Sequence, residues 1–151
     1  MLRLSKKLLY AIEAVLDIAY NAGATPVQST EITGRQGIPR RYLEPVLQQL
    51  VRARILTGVR GPRGGYRLAR ERRRISLGEI VRVVQAMDRG EDAIAGKDGH
   101  DLGVKVVRPL WQELREEMMA RLDTVTIEDL CLRAHRANIP GQFGAKLDFT
   151  I

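Results

Sequence analysis

Cysteine is nearly absent: Cys131 is the only one in 151 residues. An intramolecular disulfide framework is therefore excluded, and a lone thiol fits a cytoplasmic protein. No run of about 18 apolar residues occurs, so a membrane-spanning helix is not expected and no membrane partner is assigned. The N-terminus, MLRLSKKLLYAIEAV, sets basic residues before an apolar stretch in the manner of a signal peptide. Glu13 and Asp17 interrupt that stretch and no small-residue cleavage site follows, which favours an amphipathic first helix. A nucleophile–base pairing and a metal-ligand constellation are also missing. Catalysis is not expected, and no cofactor is assigned.

What is present is positive charge, unevenly placed. The chain carries a net +7, and residues 1–75 hold 15 Lys/Arg against 5 Asp/Glu while the remainder is mildly acidic. A basic half joined to an acidic half points to a polyanion-binding module followed by a segment with another task. The apolar fraction of 44% is enough for one ordinary core.

Periodicity organises the chain into helices with one interruption. Leu8, Ile12, Val15, Leu16 and Ala19 share a face of a helix over residues 4–20, with Lys7, Glu13 and Asp17 turned away. Ser29 is placed to cap a short helix running to Gln36, and Gly37 breaks the chain. Leu43, Val46, Leu47, Leu50 and Val51 then define a helix ending near Ala53. It begins near Pro39, which would leave Pro45 more than one turn inside, and a start at Arg41 or Tyr42 would bring Pro45 into the first turn; the choice is left open. Two β-compatible runs, 55–60 and 66–69, flank GPRGG and read as a hairpin. Helix, turn, helix and hairpin make a winged helix. Further on, Ser76/Glu79 and Thr126/Asp129 have capping-box spacing. A long helix carries Val107, Leu110, Trp111, Leu114, Met118 and Leu122, with Pro109 marking its start or a kink. The fold class is mainly α with a small β-hairpin wing. The expected divisions are a winged helix-turn-helix at 1–87, a sensor-type loop at 88–103, two helices at 104–137 and a tail at 138–151.

The string Val59-Arg60-Gly61-Pro62 with Gly64-Gly65-Tyr66-Arg67-Leu68 is the most specific motif. Together with Leu4-Ser5-Lys6, Glu31-Ile32, Arg35-Gln36-Gly37-Ile38, Tyr42-Leu43-Glu44 and Leu110-Trp111, it resembles the Rrf-two family of bacterial winged-helix transcription regulators over about residues 1–135. The resemblance implies a homodimer joined through the long helix, with Val107, Leu110, Trp111, Leu114, Met118 and Leu122 at the interface. It also implies a pseudo-palindromic operator in double-stranded DNA, with the helix from Arg40 to Gln48 in the major groove and the wing at the minor groove. A repressor role is expected.

The wing string lacks the Lys-Ser/Thr ending of a P-loop and opens no helix. Its glycines suit a tight turn, which would not by itself require Arg60, Arg63 and Arg67, so phosphate or minor-groove contact is favoured. Arg40 and Arg41 suit guanine or phosphate contact. Glu44 suits either an ion pair with them or acceptance from cytosine N4, the latter preferred. Tyr42, Gln48 and Ser29 join this DNA-facing set, and Ser5, Lys6 and Tyr10 would hold phosphates. A protein-interaction module with an incidental basic face is the alternative from another class. The signal is left among a small molecule or metal, a protein effector, and oxidation of Cys131. Asp98-Gly99-His100-Asp101 reads as a solvated loop in preference to a partial metal site.

Cluster-binding members of the family place three cysteines before the long helix. The corresponding positions here are Ala93, Gly99 and Lys105, which cannot supply thiolates. Anaerobically purified protein should therefore lack the broad visible absorption of an iron–sulphur chromophore. A visible band that tracks iron content would overturn that expectation.

Overall fold

The computed structural model describes residues 3–88, 96 and 98–141. Six helices and one hairpin follow in the order α1 (Lys6–Tyr20), α2 (Ser29–Gln36), α3 (Arg40–Arg52), β1 (Leu56–Val59), β2 (Gly65–Leu68), α4 (Leu77–Met87), α5 (Arg108–Thr124) and α6 (Ile127–Arg136). Among the described residues, no helix is long and apolar enough to cross a membrane.

The core is one cluster gathered around α1. Ala11, Val15 and Ile18 meet Ile32 from α2, Leu43, Leu47 and Leu50 from α3, Ile80 from α4, and Ile127 and Cys131 from α6. These are the spaced apolar positions of each helix, and their removal from water is the main force holding the elements together. Helix α5 contributes no buried residue. It is tied to α4 instead by a bidentate pair from Arg82 to Asp123, at 2.8 and 2.7 Å. Gly78 permits this approach, because a β-carbon there would lie 1.8 Å from the Asp123 carboxylate.

Several expectations need correction. Asp17 does not turn outward; it is 2% exposed on the inner side of α1. Its carboxylate accepts from Arg35 Nε and Nη2 at 2.9 and 2.8 Å and from Gln36 Nε2 at 2.8 Å. The hydrogen bond to Asp17, ahead of simple charge attraction, raises the Arg35 pKa above its ordinary value. Ser29 is not the cap of α2. Gln28 holds that place, its amide donating to the Glu31 carboxylate at 2.8 Å, and Ser29 is the first helical residue. The start of α3, by contrast, falls where the spacing places it, at Arg40 with Pro39 as its cap, and the later start at Arg41 or Tyr42 is not adopted, so Pro45 lies in the helix interior. The carbonyl deprived of a partner by Pro45 belongs to Arg41, an exposed residue where water can serve.

The remaining boundaries follow local chemistry. Ser76 and Thr126 complete their capping boxes as the spacing predicts. The two caps sit side by side, with Leu77 donating to the Val125 carbonyl at 2.8 Å and Ile127 to the Ile75 carbonyl at 2.9 Å. The long helix opens with a π-helical turn at Gly103–Val107, where the Arg108 amide reaches back five residues to Gly103. That wider turn immediately precedes Pro109, which has no amide to donate. Asp101 and Leu102 are already helical, so the end of the expected 88–103 loop is shorter than its composition suggests. Ala93 and residues 142–151 of the tail lie outside the described residues. The tail's first part is anchored, since the Tyr20 hydroxyl donates to the Ile139 carbonyl.

Substituting Arg35→Ala strands the Asp17 carboxylate and should lower the unfolding free energy by about 3 kcal/mol, the scale for a buried charge losing its partner. Asp17→Ala should cost less, because the Arg35 side chain keeps 28% exposure and can turn to water. Urea denaturation of both variants measures the difference, and equal losses would count against this asymmetry.

Candidate nucleic-acid interface

Helix α3 has two faces with opposite fates. Leu43, Val46, Leu47 and Leu50 are buried, while Arg40, Arg41, Tyr42 and Gln48 are exposed. The exposed face is partly organised by its own contacts. Arg40 Nε donates to Glu44 Oε1 at 2.8 Å, one helical turn away. The hydrogen bond to Glu44 raises the Arg40 pKa, and Arg40 is charged in any case. The ion-pair arrangement of Glu44 thus exists before any ligand arrives. Both side chains are largely exposed, at 71% and 47%, so solvent screens the pair and it can open on contact with a polyanion. The Arg41 guanidinium lies 4.8 Å from the centre of the Tyr42 ring, within cation–π range.

Tyr42 also connects α3 to α1. Its ring centroid is 5.8 Å from that of Tyr10. This joins the first half of α1 to the first turn of α3, and Ser5 and Lys6, at the start of α1, are exposed. Ser5 has a structural task too, as its hydroxyl accepts from the Leu8 amide at 3.1 Å and caps α1.

The hairpin pairs Leu56 with Leu68 and Val59 with Gly65. A third extended residue joins it. Val27 exchanges two backbone hydrogen bonds with Tyr66, at 2.9 and 2.7 Å, and Val27 is two residues before α2. The base of the wing is therefore fastened to the start of the helix-turn-helix, where half-buried Ser29 sits. Gly65 makes this closeness feasible. Its φ is +153°, and a β-carbon would stand 2.4 Å from the Val27 carbonyl oxygen. At Gly64 a β-carbon would stand 2.2 Å from the Val59 carbonyl oxygen. The turn closes with Gly64 donating to the Gly61 carbonyl at 2.9 Å.

The three wing arginines divide into two kinds. Arg67 faces the body, donating to the carbonyls of Gly23 and Ala24 at 3.2 and 2.7 Å, and so holds the α1–α2 connection against the wing. Arg60 and Arg63 are exposed at the tip, with no hydrogen bond or ion pair among the described residues. The inward role of Arg67 has no sequence signal of its own. For the Asp17–Arg35–Gln36 network the only trace is an acid set between Leu16 and Ile18 on an otherwise apolar stretch.

On α5 and the π-helical turn before it, Val107, Leu110, Trp111, Leu114 and Met118 are exposed and Leu122 is half-buried. They recur at three- and four-residue spacing and form an apolar stripe that the described chain leaves uncovered.

Cations spread over a helix face and a hairpin tip, both projecting from one core, suit the length of a duplex better than a small ligand. Such a molecule is a winged helix-turn-helix DNA-binding regulator of transcription. More particularly, the chain belongs to the Rrf2 family, whose sequence profile, described as an iron-dependent transcriptional regulator, matches residues 4–133. It is similar to the HTH-type transcriptional regulator IscR of Escherichia coli K12, at 35% identity over 144 residues, covering 93% of this chain and 87% of the relative. Among solved structures it resembles T. potens IscR, with a TM-score of 0.73, 30% identity and coverage of 93% and 94% of the two chains. It also resembles CymR, described as the global cysteine regulator of B. subtilis, with a TM-score of 0.70, 28% identity and coverage of 88% and 98%.

The donor set does not fit a cluster held by several thiolates. The sequence has one cysteine, and Cys131 is fully buried between α6 and the core. Burial pushes its thiol pKa up, with the Arg72 charge and hydrogen bond pulling weakly the other way. Gly99 and Lys105 carry no thiolate. Among the described residues, no group of three or more His, Cys, Asp or Glu is arranged to hold a metal ion. Asp98, His100 and Asp101 are all exposed.

Gly65→Ala should destabilise the protein by roughly 2 kcal/mol through backbone strain and displacement of Val27. Thermal or urea melts check this, and a loss below the error of the melt would mean that the wing does not need a glycine there.

Proposed function

We propose that this protein binds a pseudo-palindromic operator as a homodimer, represses transcription there, and does so without a family-type iron–sulphur cluster. The observation that carries the DNA-contact reading is the pair of unengaged arginines, Arg60 and Arg63, at the tip of a wing rigidly fastened to the helix-turn-helix. In this reading α3 enters the major groove, where Arg40, Arg41 and Gln48 face base edges. Glu44 has two tasks: it holds Arg40 in place, and it accepts from a cytosine amine when the pair opens. Ser5, Lys6, Tyr10 and Ser29 fix the register against phosphates. Arg67 supports the wing and is assigned no DNA contact. The apolar stripe of α5 is the dimer surface, since packing it against its own copy removes it from water and spaces two α3 helices along a duplex. Residues 1–87 would then act as the reading unit and residues 104–137 as the pairing unit.

Gel shift against fragments from around its own gene, run across a salt series, tests the reading. Binding should fall steeply with salt, since each phosphate contact contributes about −0.9 to the log–log slope. Arg60→Ala and Arg63→Ala should each weaken binding with unchanged melting behaviour and a shallower slope, and Glu44→Ala should relax base preference at one operator position. No shift at low salt would sink the DNA reading and favour a winged helix that contacts protein.

A further inference from the structure

The junction between α5 and α6 holds a cationic pocket that DNA contact does not use. Arg121 comes from the last turn of α5, and Arg133 and Arg136 from the last turn of α6. With Thr124 and Asp129 they line a recess of about 280 Å³, close to the lower end of the range for small-molecule sites. Three of the seven residues that line it are arginines, in the half of the chain that is acidic by composition.

Nearby carboxylates offset them only in part. Asp123 is held from the other side by both terminal nitrogens of Arg82. Asp129 is committed to the cap of α6, accepting from the Thr126 amide at 2.8 Å. That backbone hydrogen bond is the first cause of its lowered pKa, with the Arg133 charge a lesser one. Among the described residues, Arg121 reaches only the Thr124 hydroxyl, at 3.5 Å. Among the described residues, Arg133 and Arg136 have no carboxylate within ion-pair distance. Counting Asp129 against the three arginines leaves a surplus of two positive charges in a concave, mostly polar site.

We propose that this recess binds a small, multiply charged oxyanion, a di- or tricarboxylate or a pyrophosphate-like compound, and that it is an effector site. Planar guanidinium forks on two helices can engage two oxyanion groups of one ligand, which a single lysine or a flat surface cannot do. The walls belong to α5 and α6, and α4 is tied to this joint by the Arg82–Asp123 pair and by the side-by-side caps at Ser76 and Thr126. An occupant would therefore act on the set of the long helix relative to the winged helix. Its effect on operator binding rests on the function proposed above, whereas binding itself does not.

Titration calorimetry of the full chain without DNA, using citrate and then pyrophosphate at matched ionic strength, separates the two. One saturable site per chain is expected for at least one probe, and which of them binds distinguishes the carboxylate from the phosphate source. Arg133→Ala and Arg136→Ala should each weaken that binding tenfold or more while Arg63→Ala leaves it unchanged. Absence of saturable binding by either probe would overturn the proposal. So would binding that survives both pocket substitutions or disappears in Arg63→Ala.

Discussion

The Asp17 carboxylate is shut away from water on the inner side of α1, where it accepts three hydrogen bonds from Arg35 and Gln36 on α2. A buried charge without such partners would cost several kcal/mol, so the two helices have little freedom to dock in another register. The consequences run outward from that contact. With α2 placed, Gly37 in the left-handed region turns the chain into α3. The buried side of α3 then settles on α1, and its polar side has only solvent, or a polyanion, to face.

The wing depends on the same frame through backbone geometry. Gly65 brings β2 against Val27, which leads directly into α2, and Arg67 clasps the connection between α1 and α2. Similar side chains thereby acquire different roles within a few residues. Arg67 is spent on carbonyls of the body, and Arg60 and Arg63 are left over at the tip. Charge count alone treats the three as equals.

The second half of the chain is organised by absence of burial. Helix α5 has no buried residue of its own, and the bidentate Arg82–Asp123 pair and the turn into α6 are among the features that join it to the body. The apolar stripe this leaves exposed is the surface proposed above to pack against a second copy. The arginines at the α5–α6 joint lie at the far end of this long helix from its π-helical turn, where the loop from the winged helix arrives.

Much of the fold was legible in the sequence because periodic burial is written in residue spacing. The apolar positions of α1 and α3, the two capping boxes and the glycine-rich hairpin were all readable locally, and so was the membership of the family. The lone cysteine settled the thiolate supply without any coordinates. Pairings between distant residues were decided only by tertiary structure. Asp17 reads as a solvent-facing acid, Ser29 as a cap and Arg67 as a free cation, because a side chain's partner is set by what the fold carries to it. Burial pattern is a property of one segment and can be read from it. Whether a charge is free or engaged is a property of two segments, and it exists only once they meet.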